Sequence, residues 1–85
     1  MSGPTHSHAL GLAIRRRRRA RDITQEALAA SAGVSSNHLG EIERGLRDPR
    51  MSTVVRLVEA LDLSPHELSV FWEEALGDGD PWPGR

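Results

Sequence analysis

The stretch "TQEALAASAGVSSNHLGEIERG", residues 24–45, holds two start signals and two stop signals for short helices. Thr24 and Ser35 are good N-caps, because a hydroxyl oxygen beside the first turn accepts an otherwise orphaned backbone N–H. Gly33 and Gly45 stand where each helix should close, since glycine takes the left-handed conformation of a helix end without a Cβ penalty. The spacing therefore predicts a second helix of about nine residues after Thr24, with Leu28 and Ala29 facing inward. A third follows over "SNHLGEIER", with only "GV" and the capping Ser35 between them.

Working outward, helix 1 is expected to start near Ala9 and to run to about Arg21, where Asp22 interrupts it. After the loop "GLRDPR", with Asp48-Pro49 as its turn signal, apolar residues at Met51, Val54, Val55, Leu57, Val58 and Leu61 are spaced for the buried face of helix 4. Ser64, Pro65 and Glu67 form a start signal for helix 5: a capping box from Ser64 to Glu67 with proline at the first helical position. No stretch alternates long enough to make a strand. The expectation is an all-α domain of five short helices over residues 9–76, between a flexible N-terminal segment, 1–8, and a flexible tail, 77–85.

A chain of 85 residues allows one domain with a modest core, and the absence of cysteine excludes disulfides and thiolate zinc sites. No apolar run approaches the roughly 20 residues that span a bilayer, and the N-terminal sequence lacks the order of a secretory signal. A cytoplasmic protein without membrane contact is the expectation. The net charge of −1 conceals a division: residues 1–50 carry nine Arg and five acids, giving +4, and residues 51–85 carry two Arg and seven acids, giving −5. A basic working surface and an acidic far end follow from that asymmetry. All eleven basic residues are Arg, which suits bidentate phosphate or base contacts and equally fits a GC-rich genome. No phosphate-cradling glycine motif and no cluster of His with carboxylates is present, so no catalytic residue, metal site or cofactor is assigned. His6 and His8 lack further ligands.

Two helices joined by a tight glycine-containing turn form a helix-turn-helix arrangement. The residues that build it resemble the Cro and lambda-repressor-like (XRE) family of DNA-binding domains, in which a Gln opens helix 2 and a Leu-Ala pair, an Ala-Gly-Val turn and an Ile-Glu-x-Gly close recur. Here these are Gln25, Leu28-Ala29, Ala32-Gly33-Val34 and Ile42-Glu43-Arg44-Gly45. The resemblance covers about residues 10–70. It implies the lambda-repressor-like fold with the helix-turn-helix in helices 2 and 3, and a transcriptional regulator that binds double-stranded DNA.

Stepping roughly 100° per residue along helix 3 places Ser36, Asn37, Gly40, Glu41 and Arg44 within an arc of about 140°, with Leu39 and Ile42 opposite. Such short polar side chains can read base edges in the major groove: Asn37 can pair with adenine, Ser36 is permissive, and Arg44 can take guanine or a phosphate. Glu41 can accept from cytosine or pair with Arg44 one turn on. Gly40 either allows a close approach to DNA or is neutral. The resemblance implies base reading from Ser36, Asn37 and Glu41 and a phosphate contact from Gln25, with Ser35, Arg44 and Arg47 as further candidates for the DNA backbone. It also implies an ion pair between Arg18 and Glu43.

The run "RRRRR" at 15–19, with Arg21, divides by the same angular step. Arg17, Arg18 and Arg21 fall on the side of Leu10 and Ile14, and Arg15, Arg16 and Arg19 on the other, either solvated or attracting DNA along its flank. Arg17 stands where the family usually has Leu, so its stem is expected to cover the core edge while its charge reaches water. On helix 5, Leu68, Phe71, Trp72 and Leu76 form an apolar band suited to a two-fold homodimer, which would set two recognition helices about 34 Å apart on a palindromic operator. Repression by occupying the promoter is the default mode, and the acidic end can instead contact RNA polymerase. The alternative is an antitoxin-like interaction module that masks a toxin-like protein through its C-terminal helix. Trp82, between two prolines, can dock on the body or on a partner.

Overall fold

The computed structural model describes residues 6–76, and residues 1–5 and 77–85, including Trp82, lie outside the described part. Five helices follow one another: α1 His6–Ala20, α2 Gln25–Ala32, α3 Ser36–Glu43, α4 Met51–Leu61 and α5 Pro65–Ala75. No strand occurs among the described residues.

The local signals act as their chemistry requires. Thr24 Oγ1 accepts from the Ala27 N–H at 3.0 Å, and Ser35 Oγ accepts from the His38 N–H at 3.0 Å. Gly33 and Gly45 adopt φ of 74° and 76°. Behind each, two backbone N–H groups bond back into the last turn: Val34 to the Ala29 carbonyl and Leu46 to that of Glu41, Gly33 to Ala30 and Gly45 to Ile42. These are Schellman closures, which satisfy carbonyls that the helix leaves without partners. α1 closes the same way through Asp22, a non-glycine residue at φ 57°, with Ile23 N–H bonding to the Arg18 carbonyl. At α5 both bonds of the capping box form, Ser64 N–H to Glu67 Oε1 at 2.9 Å and Glu67 N–H to Ser64 Oγ at 3.1 Å.

α1 packs on α3 and α5, and α2 packs on α3 and α4. Ile14, Leu28, Leu39, Ile42, Leu57, Leu61 and Phe71 meet in the core, each with its side chain fully buried. Three expectations need correction. α1 begins at His6, inside the segment 1–8 expected to be loose, and the reason is tertiary: the backbone of His8 lies against Gly45, where an added Cβ would come within 3.0 Å of the His8 Cα. Met51 and Val55 are 64% and 43% exposed, because the buried arc of α4 centres on Leu57 and Leu61, with Val54 and Thr53 at its edges. Met51 and Val55 lie roughly 100° and 140° from that centre. Phe71 is completely buried and meets Trp72 edge to face at 5.1 Å, so it belongs to this chain's own core and is not available to a partner.

Candidate nucleic-acid interface

α3 is held from beneath and left open above. Leu39 and Ile42 are fully buried, whereas Asn37 and Arg44 are exposed and Ser36 and Glu41 half-buried. Neither Ser36 nor Asn37 uses its side chain in a hydrogen bond among the described residues.

The anchor is Glu43, whose side chain is 2% exposed. Arg18 donates to it through Nε at 2.7 Å and through Nη2 at 3.0 Å, and Gln25 Nε2 donates at 2.9 Å. Arg18 Nη1 also donates to the Ile23 carbonyl at 2.8 Å. One guanidinium thus joins the end of α1, the α1–α2 link and the last turn of α3. A fork matched to both carboxylate oxygens fixes direction as well as distance. The hydrogen bond to Glu43 raises the Arg18 pKa further above its ordinary value, against the opposing effect of burial.

The remaining candidates sit around this anchor. Gln25 occupies the first turn of α2, and one of its two amide hydrogens is committed to Glu43. Ser35 offers its oxygen to the α3 cap, which leaves the hydroxyl proton free to donate. Glu41 pairs with Arg47 at 2.9 Å, from a residue six positions on in the loop, and not with Arg44. The loop 46–50 folds back toward α3 and brings the Arg47 guanidinium within reach, leaving Arg44 exposed and, among the described residues, without a carboxylate. Gly40 is buried under the side chains of Gln25 and Arg44, where an added Cβ would lie 3.4 to 3.7 Å from their flexible ends, an ordinary contact distance.

Sequence reasoning missed two features. Gly11 faces the end of α3 so closely that a Cβ there would collide with the Ile42 carbonyl oxygen. A glycine in an apolar helix interior was the available signal. The second is a seam between α1 and α5: Arg17 Nη2 lies 3.3 Å from Glu74, Arg16 lies 4.0 Å from the same carboxylate, and Arg21 Nη2 donates to Glu67 at 2.7 Å. The guanidinium of Arg17 therefore finds an acid on α5 where a purely solvated end was expected.

Five helices in this order, with the second and third joined by a capped glycine turn and the third open along a polar stripe, define the lambda-repressor-like class of DNA-binding domains. Residues 14–68 match the helix-turn-helix family HTH_3. An uncharacterised HTH-type transcriptional regulator of Sinorhizobium fredii, y4dJ, is 42% identical over 53 residues, covering 62% of this chain and 69% of that protein. Among solved structures, the clp gene regulator ClgR from Corynebacterium glutamicum superposes with a TM-score of 0.79 at 30% identity, over 89% of this chain and 78% of that one. The restriction-modification controller protein C.AhdI from Aeromonas hydrophila gives 0.67 at 34% identity, over 73% and 94%. The chain spans 22% of the longer mycobacterial HTH-type regulators that it also matches. The protein belongs to the XRE-type helix-turn-helix family of DNA-binding transcriptional regulators. No helix among the described residues is long and apolar enough to cross a membrane.

Proposed function

We propose that this protein is a cytoplasmic, sequence-specific regulator that binds a palindromic operator as a homodimer and represses by occupying promoter DNA. The observation that carries the reading is the exposed stripe of α3, where Ser36 and Asn37 have unused hydrogen-bonding groups above a helix locked in place by Glu43. Asn37 pairs with an adenine edge and Ser36 with a neighbouring base, while Gln25, Ser35, Arg44 and Arg47 hold phosphates. Glu41, already paired with Arg47, orients that arginine and reads a cytosine edge with its second oxygen.

Dimerisation is supported by apolar surface that the described residues leave partly open. Trp72 and Leu76 are half-buried at a groove shared with Leu10, Pro49, Val54 and the exposed Met51, and half-buried Leu68 extends the same helix. Aromatic anchors in such grooves dominate interface energies. The test is binding to DNA upstream of the protein's own gene, compared with scrambled duplex over a range of salt. Specific binding near 10⁻⁸ M or tighter, about 1–3 kcal/mol weaker for Asn37→Ala, is the expected result. A salt-steep isotherm that ignores sequence overturns it. Sedimentation of Trp72→Glu should show a monomer, and an unchanged sedimentation coefficient removes α5 from the interface.

A further inference from the structure

The five arginines of α1 and Arg21 just beyond its end have unequal surroundings. Arg16 and Arg17 meet Glu74, Arg18 meets Glu43 and Arg21 meets Glu67. Among the described residues, Arg15 and Arg19 have no carboxylate partner. They stand one turn apart on the same helix face, and both line an open cleft of about 480 Å³ between α1, the start of α2 and the end of α3. Arg44, also without a carboxylate, forms its far wall.

The charges of the cleft can be assigned singly. Glu43 is already bound by Arg18 and Gln25, so it leaves no free negative charge facing the opening. Glu26, exposed on the first turn of α2, is the other acid of the lining and stands against Arg15, Arg18, Arg19 and Arg44. The balance is four guanidinium groups to two carboxylates, around a concave opening that focuses the field. Gln25 and Arg44 belong to this cleft and also border α3, so the opening is continuous with the edge of the base-reading stripe. In the DNA-binding reading the duplex sits on α3, beside this opening. Residues four apart on a helix are separated by about 6 Å along its axis, which lets two long guanidinium side chains meet different phosphates of one strand.

We infer that Arg15 and Arg19 form a second phosphate-binding site, which grips the DNA backbone flanking the bases read by α3. This inference rests on the DNA-binding reading above and extends the footprint beyond the helix-turn-helix itself. Arg16, on the α5 side of the same run, takes no part in it.

The experiment compares wild-type protein, Arg15→Gln/Arg19→Gln, Arg15→Lys/Arg19→Lys and Arg16→Gln, by fluorescence anisotropy with cognate and scrambled duplexes between low and moderate salt. Two lost phosphate contacts make the slope of log affinity against log salt shallower by about 1.8 in the double Gln variant. Cognate and scrambled duplexes then weaken by the same factor, and the double Lys variant and Arg16→Gln keep the wild-type slope. Thermal unfolding midpoints of the wild type and the two double variants stay together, because neither Arg15 nor Arg19 holds an ion pair among the described residues. A double Gln variant with the wild-type slope overturns the inference, and so does a shallower slope shared equally by Arg16→Gln. A wild-type protein that binds both duplexes alike overturns the operator reading instead, and the slope comparison still decides whether the cleft grips phosphate.

Discussion

Arg18, in the last turn of α1, and Arg21, just past its end, each place a guanidinium nitrogen 2.7 Å from a glutamate oxygen. Their surroundings differ more than their geometry. The Arg18–Glu43 pair, between α1 and α3, has side chains 11% and 2% exposed, whereas those of Arg21 and Glu67, between α1 and α5, are 31% and 37% exposed. In the first pair each charge has given up water, so removing one partner strands the other in a medium that cannot solvate it. In the second, water takes over whatever is removed. Equal distances therefore conceal unequal consequences: the α1–α3 seam fixes the recognition helix, and the α1–α5 seam fastens the back of the domain.

The largest expected effect tests that contrast directly. Arg18→Ala leaves Glu43 with only the Gln25 amide and removes the donor to the Ile23 carbonyl, at a cost of about 3 kcal/mol. This is the low end for a buried pair, because Arg18 borders an open cleft. Arg21→Ala should cost less than about 1 kcal/mol. Urea unfolding of the two variants reads the difference, and equal losses would erase the distinction between the seams. Operator affinity should also fall in Arg18→Ala at temperatures where it remains folded, since α3 loses its tether.

Two glycines sharpen the same comparison from the packing side. Gly11→Ala drives a methyl group into the Ile42 carbonyl, which is backbone and yields little, so a loss of about 1–3 kcal/mol is expected. Gly40→Ala meets only the ends of flexible side chains at ordinary contact distance and should gain up to about 1 kcal/mol from helix propensity. Opposite signs in calorimetric or urea midpoints would locate the tight part of the α1–α3 seam at its backbone crossing. Two losses of similar size would mean that the Gln25 and Arg44 side chains are as rigid as the backbone.

The smallest effect concerns pH and the exposed seam. The bond from the Ser64 N–H, followed by the charge and hydrogen bond of Arg21, lowers the Glu67 pKa below the usual carboxylate range. A carboxylate with a depressed folded-state pKa contributes stability that is present above its unfolded pKa and is lost as pH falls through the folded one. The stability gap between the wild type and Glu67→Gln should accordingly be widest near neutrality and narrow below about pH 4. A gap independent of pH would assign the role of Glu67 to shape and not to charge.

The helices and their ends, the start of α1 excepted, were legible in the sequence because caps, closing glycines and the Ser64–Glu67 box act within a few residues of themselves. The motif in residues 24–45 was equally local, and the resemblance it carried supplied the partner of Arg18. Composition and spacing alone contain no term for an interaction across 25 residues. The same limit explains Glu41: helical spacing offered Arg44 as one of its two alternatives, while the chain beyond the helix brought Arg47 closer. Phe71 was recognisable as apolar but not as buried, since periodicity gives the width of an apolar band and not how much of it neighbouring helices cover.

What the sequence determined by itself was the set of five helices and the capped turn that pairs α2 with α3, because these follow from hydrogen bonds between near neighbours. Which acids Arg17 and Arg21 meet was decided by the tertiary structure alone. Glu67 and Glu74 lie 46 and 57 residues from Arg21 and Arg17, and only the packing of α5 on α1 brings them into range. The same packing separates Arg15 and Arg19 from their neighbours in an unbroken run of one residue type. Charge is written in the chain, but the dielectric around it and the distance to its partner exist only once the helices have packed.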